Sequence, residues 1–252
     1  MSRSASNSAC VRVPGYMRSA DHDLGMVRFD GTLPNGSATM PHVDITVISD
    51  AICPWCFIGK RHLDLALAEL PEEFRVSVAW HPFELNPDMP AEGLSRRDYR
   101  TAKFGSWERS RALDAQVEAA AEQAGIQIHH ERMTRTPNTF DAHRLIWLAG
   151  EHGVQSAVVS ALFRRYFVEG EDIGDSAVLA SAARDGGLAD IDIPAFLASD
   201  QGRAEVKAGL DEARRLGVSG VPTFIFNGTT GLSGAQPPEA LRQAILEAAG
   251  RG

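Results

Sequence analysis

Hydrophobic and polar positions alternate from His42 to Ser49. Val43, Ile45 and Val47 fall on one side against Asp44 and Thr46, and Ile48 turns to the other. That period of two predicts a strand buried on at least one face. The period then lengthens. In "FIGKRHLDLALAELPEE", Leu63, Leu67 and Leu70 recur at i, i+4 and i+7 with Ala66 beside them, which predicts an amphipathic helix ending near Pro71. Alternation returns in "FRVSVAWHPF" through Val76, Val78 and Trp80. Strand, helix, strand is the unit that makes parallel pairs.

From about Leu94 to Leu216 the pattern is helical, in segments rich in Ala, Arg, Glu and Gln that break at Gly125, Gly153, Gly170, Gly186 and Gly217. No strand is expected inside this block. Strands resume in "VPTFIFNG" and "GLSGAQ", read as a hairpin about a Gly-Thr-Thr-Gly turn. "PPEALRQAILEAAG" closes as a helix whose apolar face holds Leu241, Ile245 and Ala248 or Ala249. The predicted architecture is α/β: a mixed sheet with helices over it and an inserted helical domain. Residues 42–93 and 217–252 form the two parts of the sheet domain, and 94–216 the insertion. Residues 1–41 lack periodicity and are scattered with Gly, Pro, Ser and Asn, so they are expected to be disordered and dispensable. Folding signals begin just after Met40, which makes Met40 an alternative start to Met1. Cys10 is then a loose thiol without a role.

Composition narrows the class. The 252 residues are 44% hydrophobic and 23% charged, which suits a globular chain with a large core. A formal net charge of -8 speaks against tracking a phosphate backbone, so nucleic acid is not an expected partner. No apolar run approaches the ~18 residues of a membrane span, and no signal-type apolar segment opens the chain. Three cysteines, Cys10, Cys53 and Cys56, are too few for a disulfide-built secreted protein and favour a reducing, cytoplasmic setting.

The chemistry concentrates in "SDAICPWCFIGK". Cys53 ends a strand and Pro54 opens a helix, the position proline favours because it needs no N–H partner there. The Cys53 sulfur therefore stands at a helix N-terminus, which favours negative charge, and a thiolate is the attacking form in disulfide exchange. Cys56 follows one helical turn later, within reach to close or resolve a disulfide. A zinc site would need about four ligands, and no second Cys pair or His pair completes one. A structural disulfide across so short a loop does not suit a reducing compartment. Two buried structural thiols are the other open reading, against which the strand–helix–strand setting weighs.

"SDAICPWCFIGKRHL", "WHPFELNPDMP", "TPNTFDAHRLIWLA" and "GVSGVPTFIFNG…LSGAQPPEAL" together resemble the thiol–disulfide oxidoreductases of the DsbA family over residues 43–248. Within it they look closest to the FrnE-like subgroup, which is similar to 2-hydroxychromene-2-carboxylate isomerases and kappa-class glutathione transferases. The resemblance implies a thioredoxin-like fold with an inserted all-helical domain. It implies Cys53 as nucleophile, Cys56 as its partner, and Pro222 as a cis-proline facing them, with Val221 bonding an extended substrate. It implies no metal and no nucleotide cofactor, with glutathione as candidate co-substrate. The expected partners are protein or small-molecule thiols and disulfides, and a homodimer is the candidate assembly. The rival reading is a glutathione-dependent isomerase or transferase. Those relatives typically carry serine where this chain has Cys53.

Other residues carry weaker signals. Trp55, neutral between the cysteines, is expected to form an exposed apolar substrate platform. Asp50, three residues before Cys53, could relay a proton but reads better as a turn residue satisfying loop N–H groups. Lys60 and Arg61 could steer a carboxylate but read as solvated. Asn138 is a candidate substrate contact in the wall of the cleft. Arg144 could bind a substrate carboxylate, with a helix salt bridge as its plain alternative. His81, His129, His130 and His143 show no triad spacing and are assigned no catalysis.

Overall fold

Strand β2 (His42–Ser49) pairs on both sides. In the computed structural model, which describes residues 11–12 and 41–250, five strands stand in the order β1 (Val11–Arg12), β7 (Thr230–Ser233), β6 (Thr223–Phe226), β2 and β3 (Arg75–Pro82). β2 runs parallel to β3, with Val47 opposite Trp80, and antiparallel to β6, with Val47 opposite Phe224. The two faces divide as the alternation predicts. Val43, Ile45 and Val47 enter the main core, while Ile48 joins Ile225 and Ala213 in a second cluster on the other face.

The hairpin turn sits earlier than expected. Asn227 and Gly228 take left-handed conformations, at φ 49° and 65°, while Thr230 and Gly231 already belong to β7. Asparagine and glycine tolerate that conformation where threonine does not. The Asn227 side chain also accepts from the Asp44 N–H and donates to the Ala248 carbonyl, so the turn is tied to both β2 and the last helix.

Helix α1 (Pro54–Ala68) ends three residues before Pro71. Its buried face runs through Cys56, Gly59, Leu63 and Ala66, and Leu67 and Leu70 lie at its margin. The apolar repeat marked the helix correctly but placed its face to one side, because the core direction is set by the sheet and by α9 (Pro238–Ala249), which packs on α1. Gly59 is central to this contact. A Cβ there would stand 2.8 Å from Pro222 Cγ and 3.3 Å from the Phe224 ring. Glycine inside a helix costs roughly 1 kcal/mol relative to alanine. Gly59→Ala should nevertheless lower the melting temperature, since the added methyl pushes α1 off the strand that follows Pro222. A thermal melt of the variant checks this, and a rise in the midpoint would refute it.

The insertion holds α2 (Arg96–Phe104), α3 (Trp107–Gln123), α4 (Phe140–Glu151), α5 (Gln155–Phe163), α6 (Ser176–Asp185), α7 (Ile193–Ala198) and α8 (Arg203–Arg215). It is not wholly helical. β4 (Leu94–Ser95) and β5 (Arg135–Thr136) pair antiparallel, Leu94 opposite Thr136. Two-residue strands are too short to show a period, so the sequence pattern could not announce them. Gly93, at φ +66°, permits the approach: a Cβ there would meet the Thr136 carbonyl oxygen at 2.7 Å. α8, read as part of the insertion, covers the second face of the sheet through Ala213. Gln155 at the start of α5 accepts from the Trp80 N–H at 2.7 Å and donates to its carbonyl at 3.1 Å, which occupies the outer edge of β3.

Within the opening segment, Val11–Arg12 pair antiparallel with β7. The rest of the reading of residues 1–41, including Cys10 and a start at Met40, lies outside the described residues. Among the described residues no helix is long and apolar enough to cross a membrane.

Candidate active site

β2 stops at Ser49, and Asp50–Ile52 turn the chain into α1. The turn closes by a bond from the Cys53 N–H to the Asp50 carbonyl, 3.0 Å. Cys53 is the N-cap of α1, with extended backbone, and its carbonyl accepts from the N–H groups of Cys56 and Phe57. Pro54 follows in the first turn. Both thiols are free. The Cys53 thiol donates to the Val221 carbonyl at 3.6 Å, and the Val221–Pro222 peptide bond is cis. Cys56 lies behind, 1% exposed. Its burial pushes its thiol well above the usual range, and its contact with Cys53 pushes the same way; the Ser49 side chain and the Asp50 backbone pull back by hydrogen-bonding its sulfur.

Cys53 opens onto a cleft of about 420 Å³. Ile52, Pro54, Trp55, Gly220 and Val221 make the near wall, and Trp55 is 42% exposed. Leu85 and Asn86 line one side, and α2 and α3 supply the far wall. Phe57, beside Cys56, stacks on Phe167 and tilts against Phe163, which docks the insertion on the active-site helix. The far wall is charged. Among the described lining residues Arg96, Arg100 and Lys103 face one carboxylate, Asp114. Arg96 and Arg100 each grip a different oxygen of Asp114, at 2.9 Å for Arg96. His130 meets this group at Asp114, its Nε2 3.7 Å from Oδ1, and bonds Glu118 through Nδ1; burial lowers its pKa, which keeps it neutral at pH 7. Lys103 donates to the Tyr99 hydroxyl at 2.6 Å and to Asn86 Oδ1 at 3.1 Å, both neutral partners. The wall therefore carries a positive excess, on a chain whose net charge is -8.

The structure brings Cys53, Trp55 and Val221 together in the cleft, with Cys56 buried behind them. Asn138 is not among the lining residues. Its Nδ2 donates to the Met89 carbonyl and its Oδ1 accepts from the Phe140 N–H, so it joins two segments of backbone at the start of α4. The carboxylate-binding reading of Arg144 is corrected. It is fully buried, and its guanidinium donates to the carbonyls of Phe196, Leu197, Ser199 and Gln201 and to Asp141. Lys60 pairs with Asp64, and Arg61 donates to the Ala124 carbonyl. Asp50 serves the turn: its carboxylate accepts from the N–H groups of Ile52 and Leu85. The sequence reading missed the α2 wall, although "RRDYRTAK" places Arg96, Tyr99, Arg100 and Lys103 on one helical face. Among the described residues no group of three His, Cys, Asp or Glu is placed to hold a metal ion.

Residues 44–246 match the family described as DSBA-like thioredoxin domain. The uncharacterized protein YwbO of Bacillus subtilis is 30% identical over 209 residues, which cover 81% of this chain and 96% of YwbO. The crystal structure of a probable DsbA oxidoreductase, SCO1869 from Streptomyces coelicolor, superposes with a TM-score of 0.75 at 34% identity, over 84% of this chain and 92% of that one. The cytosolic disulfide reductase DsbM from Pseudomonas aeruginosa, solved with GSH, shares the fold at a TM-score of 0.58 and 20% identity, over 83% of this chain and 100% of its own.

Proposed function

Because the chain belongs to the family of DSBA-like thioredoxin domains, we propose that it is a protein thiol–disulfide oxidoreductase or isomerase working through Cys53 and Cys56. One observation carries this reading: a free thiol at the head of α1, bonded to the Val221 carbonyl at the floor of a cleft, with a second free thiol buried one turn behind it. The Cys53 thiolate attacks one sulfur of a substrate disulfide, and the other sulfur leaves with the electron pair and takes a proton. The mixed disulfide is then attacked by Cys56, which forms the Cys53–Cys56 disulfide and releases the second substrate thiol. The substrate gains two electrons and the cysteine pair loses two; the same steps reversed oxidise a dithiol. Trp55 offers an apolar platform beside the nucleophile, and Val221 a backbone edge for an extended chain.

The positive far wall suits an anionic thiol as co-substrate, and glutathione, with two carboxylates, fits that description. The few cysteines suit a reducing compartment such as the cytoplasm, where such a thiol is abundant. The experiment is insulin reduction driven by glutathione. Catalysis well above glutathione alone is expected, and none would sink the reading. Arg100→Ala should raise the glutathione KM several-fold while leaving dithiothreitol-driven reduction near its original rate. The FrnE-like placement and the rival reading, a glutathione-dependent isomerase or transferase of the 2-hydroxychromene-2-carboxylate isomerase or kappa type, separate on Cys56: that rival has no use for a resolving thiol and would survive its loss.

A further inference from the structure

Lys103 is held in place without being neutralised. Its ammonium donates to the Tyr99 hydroxyl at 2.6 Å and to Asn86 Oδ1 at 3.1 Å, and Tyr99 donates to the same Asn86 oxygen. Both partners are neutral. Elsewhere in the insertion, cations meet acids: Arg165 pairs with Asp185, Arg203 with Asp200 and Arg214 with Asp211. Among the described residues Lys103 pairs with no carboxylate. Ordering a lysine costs side-chain entropy, and an ammonium has three donors. Two are spent on Asn86 and Tyr99, so one donor and the whole charge are left for an incoming group.

This mount is tied to the nucleophile. The Asp50 carbonyl accepts from the Cys53 N–H at 3.0 Å, and the Asp50 carboxylate accepts from the Leu85 N–H at 2.8 Å. Asp50 is fully buried. One residue thus fixes both the turn that carries Cys53 and the loop that carries Asn86, and Asn86 fixes Tyr99 and Lys103 of α2. Cys53, Asn86, Tyr99 and Lys103 line the same cleft. The charge therefore has a set place in the wall that faces the reacting sulfur.

The rest of the lining indicates what brings the anion. Arg96 and Arg100 share Asp114, so the cleft keeps a positive excess on a chain with 33 acids and 25 lysines and arginines. The near side is apolar. Trp55 is 42% and Leu85 37% exposed, two of the three exposed large hydrophobic side chains among the described residues. A small thiol covers little of that surface. An extended polypeptide, rising about 3.3 Å per residue, covers it along Val221 and presents side chains to both walls at once.

We propose that Lys103, mounted on Asn86 and Tyr99, is a specificity-determining residue that selects protein disulfides with an acidic side chain close to the reacting cysteine. The inference rests on the Cys53–Cys56 cycle proposed above and names its substrate class. The substrate carboxylate takes the third donor of the ammonium, which holds the substrate cysteine at Cys53. The pair faces solvent, so salt screens it.

The test uses the full chain, reduced, and three peptides that differ only two residues to either side of one cysteine, where they carry aspartate, asparagine or lysine. The cysteine is capped as a mixed disulfide with 2-mercaptoethanol, a neutral thiol. The second-order rate constant for release of the peptide thiol is divided by that for dithiothreitol alone, which removes the effect of the neighbouring charge on the disulfide itself. The aspartate peptide should exceed the asparagine peptide by about fivefold, the upper end for one exposed ion pair, and the lysine peptide should fall below both. Salt at about 0.5 M should level the three. Lys103→Gln should bring aspartate and asparagine within about twofold of each other. Lys103→Arg should keep the preference, and Lys103→Glu should put the lysine peptide ahead of the aspartate peptide. A merely structural change would slow all three together and leave their ratios. An unchanged ratio in Lys103→Gln overturns the proposal. So does an effect of Lys103→Gln confined to oxidised glutathione, which would make the cation a co-substrate contact. Equal reduction of all three peptides by the wild type removes this inference and leaves the cycle standing, whereas reduction of none removes the cycle and the inference with it.

Discussion

Cys53→Ser is expected to remove insulin reduction by at least about 10³-fold, and Cys56→Ser to stop the cycle one step later. The first loss follows from chemistry, since a serine hydroxyl without an activating base does not displace a thiolate from a disulfide, and deleting a nucleophile costs orders of magnitude even where binding persists. The second variant keeps the attacking sulfur at the head of α1, beside Val221. It should capture substrates as mixed disulfides, visible as a covalent adduct on a non-reducing gel and absent from the double variant. Equal trapping by Cys53→Ser would reverse the two roles. The asymmetry is already in the geometry: Cys53 lines the cleft, whereas Cys56 is sealed behind it and its burial holds the thiol protonated.

Arg144→Ala is expected to cost about 4 kcal/mol of stability, which for a chain of this size lowers the melting temperature by roughly 10 °C. The guanidinium is fully buried and gathers the carbonyls of Phe196, Leu197, Ser199 and Gln201 at the end of α7. Alanine would take a donor from each of those oxygens, at about 1–3 kcal/mol where water cannot reach, and leave a cavity besides, although the Phe196 carbonyl keeps the Ser199 N–H and hydroxyl as donors. Arg144→Lys should recover only part of the loss, because an ammonium offers three donors and no planar fork. Urea unfolding of the two variants measures this. A cost below about 1 kcal/mol for the alanine variant would show that water replaces the guanidinium. Activity per folded molecule should stay near the original, since Arg144 does not line the cleft.

Some of this molecule is legible without coordinates. Val43, Ile45, Val47 and Ile48 announce a strand and even which face each residue takes, because alternation is a local property of the backbone. Cys53 and Pro54 announce the head of a helix, since the N-cap and first-turn positions select residue types by backbone geometry alone. The order of strand, helix, strand, insertion, hairpin and helix, and the adjacency of two thiols, follow from the same short-range rules. What the chain alone could not reveal depends on residues far apart meeting. Asn138 and Arg144 lie in a motif that reads as cleft wall, yet both turn to backbone oxygens of neighbouring segments. Arg96, Arg100 and Lys103 drew no reading beyond a helical segment, and become a charged wall only because the insertion folds over α1. His143 had no partner at triad spacing; Asp50 reaches it only when α4 packs on β3. Periodicity reports what a segment does by itself. The environment of a buried polar group is decided by which elements pack around it, and that is a property of the tertiary fold.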